Sequence, residues 1–223
     1  MSPRKLSIPT LRRLPLYYNI VRHAADAGQS FISSSEIAYC LNVDPTQVRK
    51  DLSAIGHRGK PKIGFSSFEL AEYLKSFLGF DRIRRIIIVG AGNLGVALSR
   101  YSGFTTHGMD ITALFDVNPS LAGTVVEGRK IRMMDELERY VCENSIEIAI
   151  LTVPAMAAQQ VSDRLFAAGI KAVWNFAPVN ITHPSGALVW NHDLMASFAA
   201  FIKFVEDSPE SGEGHGIPLL SLL

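Results

Sequence analysis

Three glycines in the run Gly90-Ala91-Gly92-Asn93-Leu94-Gly95 stand at the spacing G-x-G-x-x-G. Glycines so placed let a chain turn tightly out of a strand, bring its backbone against a pyrophosphate and pack the next helix closely. That helix then offers its N-terminal N–H groups and dipole to the phosphates. Asp116 stands 21 residues beyond the last glycine, close to the ~20 at which an acid accepts hydrogen bonds from an adenosine ribose. A carboxylate there also repels a 2′-phosphate, and Val117-Asn118-Pro119 follows it without an arginine. The chemistry is that of NAD(H) binding in preference to NADP(H).

Two further segments, Leu151-Thr152-Val153-Pro154 and Asn175-Phe176-Ala177-Pro178, fall where strand ends should face the nicotinamide half. Thr152, Val153, Pro154, Asn175, Phe176, Ala177 and Pro178 are the candidate contacts. A pocket built from Val153, Pro154, Phe176, Ala177 and Pro178 would solvate a cation poorly, so burying the ring there is expected to favour neutral NADH over NAD+. A dehydrogenase also needs a proton donor or acceptor beside the nicotinamide. The chain has no Tyr-x-x-x-Lys, and of His183 and His192 only the second has an adjacent acid, Asp193. No catalytic residue is therefore expected, and the cofactor reads as a signal. The alternative is an NAD-dependent oxidoreductase with an appended helical domain. A third reading, a CoA- or nucleotide-binding regulator, is opposed by Asp116, which would face the 3′-phosphate of CoA.

Charge is unevenly placed. Residues 1–62 carry ten Lys/Arg against four acids, and the remainder twelve against seventeen. A basic small domain joined to an acidic larger one suggests that the first meets a polyanion. Ser33 with Glu36 three residues on forms a capping box for a short helix to about Leu41. Asp44-Pro45 then starts a second helix, Thr46 to about Ile55, whose front carries Gln47, Arg49 and Lys50. Two short helices across a tight turn form a helix-turn-helix. Arginine suits guanine and glutamine suits adenine in a major groove, while Lys50 suits a phosphate. Residues 57–65 suit a glycine-rich hairpin, a wing whose Arg58, Lys60 and Lys62 reach backbone or minor groove. Ser35, on the preceding helix, is placed with the same DNA-facing set.

The elements that must position these residues follow from periodicity and breakers. A helix from Thr10 to about Ala27 precedes the pair, and one from Ser67 to Leu78 closes the domain before a link at Gly79–Arg85. Arg85-Ile-Ile-Ile-Val-Gly90 is a continuous apolar run, as expected of a strand covered on both faces. Strands ending at Asp116, Thr152 and Asn175 alternate with helices, so the fold class is α/β, a doubly wound parallel sheet after a helical winged module. The divisions are 1–80 for the winged helix-turn-helix, 81–190 for the Rossmann domain, 191–206 for a C-terminal helix and 207–223 for a tail of disordered composition. No run approaches the ~18 apolar residues of a membrane span. The N-terminus lacks an apolar signal core, and Cys40 and Cys142 show no metal or redox spacing. A reduced cytoplasmic protein without a metal is the expectation.

Several strings together resemble the Rex family of bacterial redox-sensing repressors. They are Arg13-Leu14-Pro15 with Tyr17-Tyr18, Val48-Arg-Lys-Asp-Leu-Ser53, Gly90–Gly95, Tyr101-Ser-Gly-Phe104, Phe115-Asp-Val-Asn-Pro119, Leu151–Ala155 with Ala158-Gln159, Ala168–Lys171 and Trp174-Asn-Phe-Ala-Pro178. The resemblance covers about residues 8–195. It implies a winged helix plus a Rossmann domain, with the C-terminal helix swapped across a homodimer. It further implies palindromic operators of respiratory and fermentative genes, released when NADH rises against NAD+. Tyr101 and Asp193 match the tyrosine and aspartate with which the family couples cofactor state to domain geometry. The sequence departs at Asn19, where the family has an arginine, and at Ser53-Ala-Ile-Gly56 and Lys60–Phe65, in place of Ser-Tyr-Phe-Gly and the usual wing.

Overall fold

The computed structural model describes residues 6–207, in two compact units. One holds the residues up to Asp81 together with the C-terminal stretch from Ser197, and the other is Arg82–Ala196.

The first unit contains α1 (Ile8–Asp26), β1 (Phe31–Ile32), α2 (Ser34–Leu41), α3 (Pro45–Ala54), β2 (Phe65–Ser66) and α4 (Ser67–Leu78). Its helix starts follow the capping chemistry: Ser33 accepts from the Glu36 N–H while the Glu36 carboxylate accepts from the Ser33 N–H. Asp44 caps α3 with Pro45 in the first turn, and Asn42, at φ 52°, turns the chain between the two helices. Leu14, Val21, Ile37, Val48, Leu52, Leu70 and Leu74 are fully buried in one core. Each such side chain contributes about 1.5–3 kcal/mol by leaving water.

The wing differs from the expected hairpin. Residues 57–65 form a turn closed by a single antiparallel bridge, Lys60 to Gly64, and the chain then pairs β2 with β1 rather than with its own arm. Gly64 is required there: its φ is 98°, and a Cβ would lie 2.6 Å from the Ile32 carbonyl oxygen. β1 escapes a sequence reading because two residues carry no periodicity.

In the second unit β3 (Arg84–Val89), α5 (Asn93–Arg100), α6 (Gly103–Thr106), β4 (Met109–Asp116), β5 (Val125–Val126) and β6 (Arg129–Met133) come first. They are followed by α7 (Leu137–Asn144), β7 (Ile148–Leu151), α8 (Ala155–Ala167), β8 (Ala172–Asn175) and β9 (Leu188–Asn191). The seven strands run in the order β5-β6-β4-β3-β7-β8-β9, all neighbours parallel except β5 with β6. Ile87, Val89, Ala149, Leu151 and Val173 face one helical layer, and Ile86, Ile88 and Ile150 the other. Both faces are covered, which is why the β3 run is apolar throughout. The chain passes from β4 on one side of β3 to β7 on the other, which opens a crevice above the strand ends.

Two boundaries shift from the sequence reading. β9, unforeseen, adds an edge strand that ends at Asn191. The last helix, α9 (Leu194–Asp207), still includes Asp207, so no tail begins there. The remainder of the tail reading, 208–223, lies outside the described residues.

Candidate functional site

The crevice at the end of β3 is built on the glycine turn. A Cβ on Gly95 would stand 1.9 Å from the Gly90 carbonyl oxygen, so the third glycine is what lets α5 seat against the strand. A Cβ on Gly92 would meet nothing within 4 Å, leaving the N-terminus of α5 open to a phosphate. Thr152 donates its hydroxyl to the Gly90 carbonyl at 2.8 Å and fixes the turn from β7. Asp116 ends β4 and accepts from the Ala91 N–H at 2.7 Å and the Asn118 N–H at 2.9 Å. Those bonds aim the carboxylate at the turn from the side where the adenosine ribose is expected.

A cavity of about 590 Å³ opens here. Gly90, Gly92, Asp116, Thr152, Val153 and Pro154 line it together with Phe115, Leu121, Met134, Ala157 and Val161. Asn93 and Leu94 form the first turn of α5 behind it. Asn175 has another place. It is fully buried, accepts from the Ala177 N–H and donates to the Val179 carbonyl and to Asn191 Oδ1. Its amide shapes the loop that carries Phe176, Ala177 and Pro178 past the end of β8; none of the three lines the crevice. Ala177 and Pro178 line a separate small cavity of about 150 Å³ with His192 and Asp193.

The structure adds a feature that the sequence reading missed, a row of aromatic rings. Tyr101 meets Phe104 at 5.5 Å, Phe104 meets Trp174 at 6.2 Å, Trp174 meets Phe176 at 4.8 Å and Phe176 meets His192 at 5.2 Å between centroids. Of the two coupling candidates, Tyr101 stands at one end of the row and Asp193 follows His192, the other end, in the chain. Asp193 caps α9, accepting from the Met195 and Ala196 N–H groups at 2.8 and 3.1 Å. His192 packs on rings and His183 Nδ1 lies 3.2 Å from the Pro184 carbonyl, neither geometry being that of an oriented general base.

The first unit presents a basic cleft of about 500 Å³ between the start of α2, α3 and the wing. Arg49, Arg58, Lys60 and Lys62 line it, as do Ser33, Ser34 and Ser53. Arg49 donates to Ser34 Oγ at 3.1 Å and Thr46 Oγ1 at 3.0 Å, which holds its guanidinium across the cleft. His57 stands on the floor against Tyr73 and Phe65, and its burial holds the imidazole pKa below the ordinary value against the opposing pull of Glu69. Lys50 is exposed on α3 outside the cleft. Ser35 lines a different groove, with Ile20, Ala24, Ile32 and Tyr39.

Gln47 turns inward. Its amide donates to Asp51 Oδ1 at 2.9 Å, within a network that binds α3 to α1. Arg13 forks onto both Asp51 oxygens at 2.6 and 2.8 Å, and Tyr17 donates to Oδ2 at 2.8 Å. Burial alone would raise the Asp51 carboxyl; hydrogen bonds from Arg13 and Tyr17, with the Arg13 charge, outweigh it and hold the group below the usual carboxylate range. Burial and the bond to Asp51 push the Tyr17 phenol up. Asp51 and Tyr17 signal this network only through their place in the apolar pattern of two helices, so it was not foreseen.

Among the described residues no cluster of three or more metal-ligating side chains occurs, and no helix is long and apolar enough to cross a membrane. The family model described as "CoA binding domain" matches residues 81–179, and "Putative DNA-binding protein N-terminus" matches residues 5–53. The redox-sensing transcriptional repressor Rex of Bacteroides fragilis is 40% identical over 195 residues, 87% of this chain and 89% of that one. Its namesake in Treponema denticola is 42% identical over 200 residues, 89% and 95% of the two chains. Among solved structures, RSP, a Rex-family repressor, in complex with β-NAD+ and operator DNA superposes with a TM-score of 0.85 at 33% identity, covering 91% of this chain and 93% of that one. The same repressor in complex with β-NADH gives 0.81 at 33% identity, covering 91% and 94%. With identity of this order along nearly the whole length of its relatives, the chain belongs to the Rex family of redox-sensing transcriptional repressors.

Proposed function

We propose that this chain is a DNA-binding repressor that senses the NADH/NAD+ ratio and releases its operator when NADH binds. The observation that carries the reading is the pairing, in one chain, of a basic winged-helix cleft with a dinucleotide crevice whose ribose-side acid is already aimed. Relatives named repressors, and a relative solved with NAD+ and operator DNA and with NADH, support it.

The cofactor is NAD(H). Gly90, Ala91, Gly92, Asn93, Leu94 and Gly95 form the pyrophosphate turn, and Asp116 binds the adenosine ribose. Thr152, Val153 and Pro154 face the nicotinamide half, with Phe176, Ala177 and Pro178 beside them and Asn175 shaping their loop. This wall is apolar and favours the neutral ring of NADH. In the first unit Arg49 reads base edges. Lys50, Arg58, Lys60 and Lys62 hold phosphates or the minor groove, and Gln47 and Ser35 are the candidates that the geometry supports least.

The domains divide at about residues 80 and 190, and the protein acts in the cytoplasm, where operators are found. It binds a palindromic operator as a homodimer through α9. No α9 residue is buried, and Phe198, Phe201, Ile202 and Val205 are 53%, 41%, 39% and 54% exposed, an apolar surface that water disfavours. For NADH to regulate, it must bind a DNA-incompetent arrangement better than the competent one, and operator DNA must weaken NADH binding by the same factor. A coupling of about 1–3 kcal/mol would shift operator affinity about 5- to 150-fold. Operator affinity measured at saturating NADH and at saturating NAD+ tests this: lower affinity with NADH is expected, and identical values overturn the sensor.

A further inference from the structure

Asn175 stitches two segments that the chain separates by sixteen residues. Its amide donates to Asn191 Oδ1 at 2.9 Å, and its carbonyl accepts from the His192 N–H at 2.8 Å. The loop after β8 and the segment after β9 are therefore held side by side. Phe176 starts that loop at the level where β7 ends, its N–H donating to the Leu151 carbonyl at 2.8 Å. Against it lies the His192 ring, 5.2 Å away and tilted 56°, with Trp174 at 6.3 Å completing the contact. The Trp174 indole N–H is buried without an acceptor among the described residues, and the ring packs against Phe104, Phe176 and His192. The residue after His192 is Asp193, whose carboxylate caps α9.

We infer that His192 is a positioning residue: its ring fixes Phe176 at the end of β8, next to the end of β7, and ties Phe176 to the cap of α9. The inference rests on the NADH-sensing reading and adds to it a named joint. On that reading a nicotinamide at the ends of β7 and β8 would displace or clamp the Phe176 side chain, whose backbone is joined there to Leu151. Because His192 is in contact with Phe176 and covalently adjacent to Asp193, the movement reaches the first turn of α9 without crossing flexible chain. Packed rings have discrete arrangements rather than a continuum, so a small displacement at one end selects between them. The imidazole acts here by shape and contact, not by proton transfer.

The test uses the full chain and two probes, NADH and ADP-ribose, which lacks the nicotinamide. Affinities are measured by calorimetry, and operator binding by fluorescence anisotropy with and without saturating NADH. His192→Ala should bind ADP-ribose as the wild type does, yet bind NADH about 2- to 10-fold more weakly, the range carried by one ring contact. The factor by which NADH weakens operator binding should fall with it. His192→Phe, which keeps a ring, should restore both. Equal losses of ADP-ribose and NADH affinity would mark general damage to packing and overturn the inference. So would wild-type coupling in His192→Ala. If the wild type itself shows no NADH-linked release, the sensing reading fails and takes the inference with it; release in the wild type with an indifferent His192→Ala sinks the inference alone.

Discussion

The Ala91 N–H donates to the Asp116 carboxylate at 2.7 Å, although 25 residues separate them. The acid proposed to hold the ribose therefore also holds the glycine turn proposed to bind the pyrophosphate. Asp116→Ala should weaken NADH through both losses, by about 1.5–3 kcal/mol, the range of a hydrogen bond to a charged group. It should also narrow the gap to NADPH by removing the repelling charge. Asp116→Asn, which keeps an acceptor for Ala91, should narrow the gap with a smaller loss of NADH affinity. Calorimetric titration with both cofactors checks this, and a wild type that binds them equally refutes the role.

Arg49 and Lys50 should fail differently. Arg49 is held across the basic cleft by Ser34 and Thr46. Arg49→Ala should cost about 1–3 kcal/mol of operator affinity and relax preference at one base position per half-site. Lys50→Ala should weaken all sequences alike and lower the salt slope by about one unit. Titrations of base-substituted operators across a salt series separate the two, and an unchanged base preference in Arg49→Ala would show that another side chain reads the groove.

Asp51 should govern the stability of the first unit. Its side chain is 3% exposed and that of its partner Arg13 14%. Asp51→Ala should cost about 3–5 kcal/mol, because removal of one member leaves a buried charge unpaired. The folded-state pKa lies below the unfolded one. The carboxylate's contribution is thus complete above an unfolded pKa of ~4 and is lost as pH falls through the folded value. Urea stability followed from pH 7 to pH 2 should drop in the wild type below about pH 4, and Asp51→Asn should lack that part of the drop. Parallel curves for the two proteins would remove Asp51 as its source.

The α9 surface should hold the dimer. Phe198 and Phe201 lie 6.3 Å apart on it, both exposed. Phe198→Glu with Phe201→Glu should give monomers that still bind NADH, read by light scattering and titration. Truncation before Leu194 spares β9 and the Asp193 cap and should do the same or aggregate. A truncated chain that stays dimeric places the interface elsewhere.

Sequence alone determined what is written in neighbouring residues. The turn Gly90–Gly95, the box Ser33–Glu36, the cap Asp44-Pro45 and the apolar run of β3 each rest on contacts within a few positions, or on a periodicity that any packed chain must obey. Asp116 was legible because a strand and a helix of ordinary length fix its distance from the glycines. Tertiary structure alone decided which distant groups meet. Arg13 with Asp51, Ile32 with Phe65, Asn175 with Asn191 and Phe176 with His192 are pairs whose members look in sequence like any surface charge, short apolar stretch or loop amide. The same holds for Gln47, whose position on α3 suggests a groove while the nearest acceptor, Asp51, lies toward the core. Local rules assign a residue to an element and a face, but the partner across that face depends on how all the elements pack, and that packing is not encoded at any single spacing.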